Sequence, residues 1–458
     1  MSDYFSEADP GRVVSEYPLG SAFEQNIVSL SVDALKDLQT RRFLRVVKRA
    51  WEIPFYARRW RAAGLEPGAI KTLDDVALIP AFTKSDLMQS VAEHPPFGDF
   101  HGMDDLAGEA RRQVIFHTTS GTTGDPQPLI FGAFDREVQN VLLARTYRMH
   151  GLRDDDIVHS VYGFGMVNGG HYVREAVTHF TRALMLTPGT GADMPSEQQV
   201  RLMAHFGVTV LVGFADYLLR LAEVARGLGL EPGRDLKVRM LSGHIPADRA
   251  QALSAAWGGV PVHDWYGVGD TGVVAAACPG IEGLVVYEDA HLLELLDPDT
   301  GNTVAPGASG NQCVTVLFKD CVYPIIRFDT QDITAWGDEM LGPLRCTRGF
   351  LGRSDNMVKL RGINVYPTAI AGLLQRWPHA NGEYVCIVRR TDGREEMSIK
   401  VEWKGALDGD AQDDVSVGLS EALGVRVDAQ LCAPASTAEL TQVNARQKPK
   451  RLVDQRND

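Results

Sequence analysis

The sequence has no CxxC pair, no run of 18 apolar residues and no GxxxxGK[ST] motif. Each absence excludes a class. The six cysteines, Cys278, Cys313, Cys321, Cys346, Cys386 and Cys432, follow no repeated spacing and read as reduced thiols rather than a disulfide scaffold. A zinc site built from Cys278, Cys313, Cys321 and Cys346 is the alternative use of the same residues. The longest apolar stretches, such as Val208 to Phe214, are far too short to cross a bilayer. Met1 to Arg12 is acidic and polar, unlike a secretory signal. The missing phosphate-loop lysine sets aside Ras-like and kinase-like nucleotidases. Positive charge is also scarce, with 46 basic against 59 acidic residues and a net charge of −13. Such a chain has no general attraction to nucleic acid or anionic lipid. The expectation is a cytoplasmic protein with neither nucleic acid nor membrane as partner.

What is present is an ordinary globular composition with many glycines, 45 in 458 residues. Residues 30 to 65 read as helical, interrupted at Pro54. From about 110 to 280, short apolar runs alternate with amphipathic segments. The runs are Val114 to Phe116, Ile157 to Val161, Ala183 to Leu186, Val208 to Val212, Val238 to Leu241 and Val260 to His263. The segments between them include Glu137 to Met149, Ser196 to Phe206, Ala215 to Leu228 and Ala247 to Trp257. That alternation predicts α/β architecture with a largely parallel sheet. Residues 284 to 336 read as strands joined by turns. The last hundred or so residues read as a small α+β unit with a boundary near Arg353 to Asp355.

Three glycine clusters stand out. Thr118 to Pro126 combines four threonines and a serine with two glycines, a composition suited to wrapping phosphates with hydroxyls and backbone N–H groups. A Ser/Thr-rich turn is the plain alternative. Tyr266 to Gly272 reads GVGDTG after Tyr266, a GxGxxG pattern. A dinucleotide fingerprint would need an amphipathic helix next, and Cys278-Pro279-Gly280 cuts the following segment short. Tyr162 to Gly165, with Gly169 and Gly170, offers aromatics and small residues for the wall of a flat apolar pocket. A packed turn is its plain alternative.

In this order the motifs resemble the adenylate-forming superfamily of acyl- and aryl-CoA ligases, most closely its phenylacetate–CoA ligase branch. The carrying segments are Ser120 to Gly124, Ser242 to Pro246, Tyr266 to Asp270, Arg327 to Asp332, Gly352 to Pro367 and Gln447 to Arg451. The resemblance implies a large α/β N-terminal catalytic domain of several subdomains with mixed and parallel sheets (1–353), and a small mobile α+β C-terminal lid (354–458). It implies ATP-dependent activation of an aromatic carboxylic acid to an aryl-AMP, then thioester formation with coenzyme A. ATP, Mg²⁺ and coenzyme A are the implied cofactors, and the protein is expected to be a monomer or homodimer. Two alternatives remain open: transfer to a carrier-protein thiol or an amine, and a catalytically impaired nucleotide-binding relative.

The resemblance also implies roles. Ser120, Gly121, Thr122, Thr123 and Gly124 would hold phosphates. Gly243, His244 and Ile245 would border the adenine, with Asp264 and Tyr266 also at the nucleotide. Asp332 would accept from the ribose hydroxyls, and Arg353 would contact the nucleotide. Tyr162, Phe164, Gly165, Gly267 and Gly269 would line the acid pocket. Asp270 stands where a metal-binding glutamate is usual. Asp355 is the implied hinge, and Lys359, Arg361 and Gly362 lie on the implied coenzyme A path. Lys448 would bridge the substrate carboxylate and the α-phosphate. A lysine and Mg²⁺ suit this step because it brings two anionic groups together. The sequence departs from the family at Ile245, Gly269, Asp270 and Gln447, and Lys450 is a rival for Lys448. The zinc pattern of some relatives is incomplete, with Val285 in place of a histidine, so no structural zinc is predicted.

Overall fold

A computed structural model describes residues 4–103, 113–119, 126–354, 358–360, 363–391, 394–441 and 450–456. The chain divides into two compact units, residues 1–330 with 334–350, and residues 331–333 with 351–458. Local signals set the first helices. Ser31 caps Val32–Ala50 by accepting from Ala34 N at 3.1 Å, and Pro54 both ends that helical run and opens Pro54–Ala62 at a position that needs no N–H.

Strands β1 (Val114–Thr118) and β2 (Pro128–Gly132) pair antiparallel on either side of the hydroxyl-rich segment. Strands β3 (Ile157–Ser160), β4 (Leu184–Leu186), β5 (Val210–Phe214), β6 (Met240–His244) and β7 (Val262–Val268) are parallel neighbours in the order β4-β3-β5-β6-β7. Helices Asn168–Phe180, Ser196–Phe206, Ala215–Gly227 and Ala247–Ala256 connect them. On β5, Val210 and Val212 join one core cluster while Leu211 joins another with Leu218, Leu221 and Trp257. The sheet is therefore buried on both faces, which is why its strands read as unbroken apolar runs.

The sheet continues antiparallel through β8 (Gly272–Ala277), β9 (Leu284–Val286) and β13 (Leu344–Thr347), with β10 (His291–Leu296), β11 (Ser309–Val316) and β12 (Ile325–Leu341) beyond. Where a dinucleotide fold needs a helix, β8 runs back along β7. Gly272, at φ +71°, makes the turn.

The second unit contains β14 (Gly352–Arg353), which pairs with Ile333 and Asp332, and the hairpin of β15 (Val358–Leu360) and β16 (Ile363–Val365). Its main sheet, β17 (Ala380–Thr391), β18 (Arg394–Trp403), β19 (Asp428–Cys432) and β20 (Leu452–Asp454), has the order β19-β18-β17-β20. Val415 and Leu419 of helix Gly409–Leu423 join its core. The basic end of the chain is thus anchored at Leu452 to Asp454. Arg451 bonds Glu383 Oε2 at 2.8 Å and Arg456 bonds Glu395 Oε1 at 3.1 Å.

Helix Ala133–Met149 departs from its amphipathic reading, because residues 133 to 147 are buried all round. Its charges are paired instead of solvated. Arg145 grips Asp289 through two bonds of 2.9 and 3.0 Å with both side chains essentially inaccessible. Arg136 holds Glu175 at 2.6 Å, and Glu137 meets His179 Nδ1 at 3.0 Å. Removing one member of a buried pair strands the other charge. Asp289→Ala is expected to cost about 3–5 kcal/mol, seen as a lowered denaturant midpoint for the whole protein.

Candidate active site

The site assembles at the carboxyl ends of parallel strands, where open α/β sheets usually bind ligands. Register places Gly213 opposite Gly243, Phe214 opposite His244, and Gly243 opposite Asp264. The strands come so close that a Cβ on Gly243 would lie 1.8 Å from the Gly213 carbonyl oxygen. Only glycine fits there. The same register sets Phe214, His244 and Trp265 in a row on one face. Ring centroids are 5.3 Å apart for Phe214–His244 and 4.0 Å for His244–Trp265. Tyr162, at the end of β3, closes the row with its hydroxyl 2.7 Å from His244 Nδ1. Asp264 accepts from Ile245 N at 2.8 Å, and poor solvation raises its pKa to about 7. Tyr266 donates to Thr330 Oγ1 at 3.1 Å.

The third glycine cluster is tied to β1, the strand that precedes the hydroxyl-rich segment. Thr118 N donates to Met166 O at 2.8 Å, and His171 Nε2 lies 2.9 Å from Gly165 O. His117 stacks on His171 at 4.8 Å, and Phe164 meets His171 edge-on at 5.2 Å. A Cβ on Gly170 would strike Gly163 O at 2.6 Å. The residues flanking the hydroxyl-rich segment are tied to each other. Thr119 N donates to Gln127 O at 3.1 Å, and Gln127 N donates to Thr119 Oγ1 at 3.3 Å. Lys84 Nζ reaches the same Thr119 hydroxyl at 3.4 Å. Sequence reading misses Lys84, which lies 35 positions upstream with no motif of its own.

Asp270 is buried at the bottom of this region. Its Oδ1 accepts from Gln127 Nε2 at 2.7 Å and from the Tyr323 hydroxyl at 2.9 Å. The ammonium of Lys319 donates to its backbone oxygen at 3.1 Å and sits over the rings of Tyr323 and Phe131. Burial raises the Asp270 pKa against the pull of Lys319, Tyr323, Gln127 and Lys84. Burial also lowers that of Lys319 to about 8, while Asp135 and Asp270 hold it up.

The remaining predicted residues divide. A Cβ on Gly267 would lie 2.2 Å from the Gly272 carbonyl oxygen, and one on Gly269 would lie 2.8 Å from the Leu129 side chain, so both glycines serve close packing. Asp332 and Arg353 bond each other at 2.7 Å. Lys359 lies on β15 opposite Asn364. Ser120, Gly121, Thr122, Thr123, Gly124, Asp355, Arg361, Gly362 and Lys448 lie outside the described residues. The flanks of the Lys448 segment meet where Lys450 N donates to Thr441 O at 2.8 Å.

The sequence profile of the AMP-binding enzymes matches residues 76–315, and that of the AMP-binding enzyme C-terminal domain matches residues 362–456. The chain belongs to the AMP-binding enzyme family. It is 28% identical over 450 residues to a phenylacetate-coenzyme A ligase of Aromatoleum evansii, covering 94% of this chain and 96% of the relative. It is 31% identical over 397 residues to a phenylacetate-coenzyme A ligase of Thermus thermophilus, covering 83% and 84%. A crystal structure of 2-hydroxyisobutyryl-CoA ligase in the postadenylation state, in complex with 2-HIB-AMP, superposes with a TM-score of 0.77 at 27% identity, covering 93% of this chain and 89% of that one. This AMP-binding enzyme is an AMP-forming acid–CoA ligase of the phenylacetate–CoA ligase branch: it adenylates an acid and then forms its coenzyme A thioester.

Ligases of this family use ATP, Mg²⁺ and coenzyme A. Among the described residues around Asp270 only its own carboxylate can ligate a metal, since Gln127, Tyr323 and Lys319 present N–H and O–H donors, so the residues fit a magnesium ion carried mainly on nucleotide phosphates, which takes only one or two carboxylates from the protein. They do not fit a protein cage, since no group of three His, Cys, Asp or Glu side chains converges among the described residues.

Two outcomes follow. Gly243→Ala cannot relieve its clash without shifting a strand. It should cost roughly 1–3 kcal/mol or more and abolish AMP binding measured by calorimetry. His117, buried at the root of the hydroxyl-rich segment, has its pKa lowered to about 4 by burial and by Arg136 and His171. Between its ordinary value of 6.5 and about 4, the unfolded chain binds a proton that the folded chain refuses. Stability therefore falls as pH drops through that window, and His117→Leu should remove this share of the slope in denaturant midpoints taken at its two ends.

Proposed function

We propose that this ligase activates an aromatic carboxylic acid and transfers its acyl group to coenzyme A. The observation that carries the reading is the pair of rings Tyr162 and Phe214, 4.9 Å apart beside His244 on the adenine side, whose faces suit an aryl ring better than an extended alkyl chain. The phenylacetate named for the relatives supports it. The acceptor is read as coenzyme A, the thiol named for those same relatives, rather than a carrier protein or amine. A cytoplasmic location agrees with six unoxidised thiols.

In this reading residues 1–353 form the catalytic domain and 354–458 the lid, with Asp355 as hinge. Ser120 to Gly124 hold the β- and γ-phosphates, and Lys84 adds a cation at Thr119. The Asp332–Arg353 pair offers a carboxylate to the ribose. Magnesium, when bound, offsets phosphate charge next to Asp270. Lys448 bridges carboxylate and α-phosphate as the acid oxygen attacks phosphorus and pyrophosphate leaves. The thiol of coenzyme A, approaching along Lys359, Arg361 and Gly362, then attacks the acyl carbon and AMP departs.

The test is pyrophosphate release over substituted benzoates, phenylacetates and cinnamates, with 2-hydroxyisobutyrate as the aliphatic comparison. Turnover of the aliphatic acid alone would overturn the aromatic assignment. Lys448→Ala is expected to slow pyrophosphate release by roughly a hundredfold or more while a supplied acyl adenylate is still converted. The reverse result with Lys450→Ala would move the role by two residues.

A further inference from the structure

Asp270 does not stand alone. Three buried side chains from two distant parts of the chain converge on it: Gln127, and Lys319 with Tyr323, exposed by 1%, 0% and 0%. Gln127 and Tyr323 both donate to the same carboxylate oxygen, Oδ1, at 2.7 and 2.9 Å. Two donors on one oxygen fix the carboxylate plane. Lys319 donates to the backbone oxygen of the same residue at 3.1 Å and is walled in by the Phe131 and Tyr323 rings. The carboxylate is thus held in side chain and main chain together.

Gln127 has a second connection. Its backbone N and O are the ones that bond Thr119, so it flanks the hydroxyl-rich segment while its amide grips Asp270.

We infer that Gln127, Tyr323 and Lys319 are positioning residues for adenylation, holding Asp270 in the orientation that meets the metal on the nucleotide. The inference rests on the reading of Asp270 as the metal carboxylate. Aspartate is one methylene shorter than the glutamate usual at this position, so its reach is less adjustable and the orientation must be set by its neighbours. Groups that orient a metal ligand typically change metal affinity by one to two orders of magnitude.

The test uses Mn²⁺ as probe and α,β-methylene-ATP as an inert nucleotide, with metal binding to the full-length enzyme followed by electron paramagnetic resonance. Tyr323→Phe and Gln127→Leu remove one donor each and keep the shape of the side chain. Each is expected to weaken Mn²⁺ binding by about tenfold or more, with a melting temperature near that of the parent. Excess Mg²⁺ should then restore pyrophosphate release, which a merely unfolded or distorted variant would not show. Asp270→Asn separates the two ideas. If it leaves Mn²⁺ binding unchanged, the reading of Asp270 fails and the inference with it. If it weakens binding while Tyr323→Phe and Gln127→Leu do not, only the positioning role is overturned.

Discussion

The contact that organises the candidate site is the approach of β5 to β6 at Gly213 and Gly243. The two strands can come this near only because residue 243 carries no side chain, while Gly213 is kept small by Val161, 2.2 Å from where its Cβ would stand. Once they do, the register of β5, β6 and β7 is fixed, because a slip of one residue would put a Cβ into a carbonyl oxygen and turn every neighbouring side chain to the other face. Phe214, His244 and Trp265 then share one face, while Asp264 and Gly243 share the other. The site is a consequence of strand register before it is a consequence of any individual residue.

A second constraint is burial of charge. Helix Ala133–Met149 lies in the core with Arg136, Glu137 and Arg145 paired, and the Asp270 region holds a lysine and a carboxylate away from water. Such pairs add little net stability compared with apolar packing. What they supply is geometry, since each partner restricts where the other can sit. The helix passes from Asp135 near Lys319 to Arg145 at Asp289, so one rigid element spans both charged regions.

Much of this is legible in the chain. The six apolar runs before residue 280 form strands within a few residues of their expected bounds, five of them in the parallel sheet and the run at Val114 in the antiparallel pair of β1 and β2. The resemblance carried by the motifs points to the family. The helix Asn168–Phe180 leaves no clear signal, because two glycines at its start look like a turn until Arg136 is seen gripping Asn168 at 2.6 Å. Strand β8 is equally silent, since its pairing depends on the left-handed turn at Gly272. The partners of Asp270 are invisible for a simpler reason. Lys319 and Tyr323 are 49 and 53 positions away and Gln127 is 143, and no local pattern encodes contacts at that separation. The GxGxxG pattern points to a tight backbone, which is what Gly267 and Gly272 provide, though not to a dinucleotide.

The ring row has a consequence for how such an enzyme diversifies. Phe214, His244 and Trp265 come from three neighbouring strands and Tyr162 follows a fourth, and the Tyr162 hydroxyl also ties main chain, donating to Gly213 O at 3.5 Å and accepting from His244 N at 3.3 Å. Under the proposed aryl assignment, exchanges within the row would alter the acid accepted. The exchanges will not be independent, though. His244 touches the other three rings, and replacements made on either side of it will combine non-additively. A combinatorial library centred on residue 244 would sample that landscape better than a series of single changes.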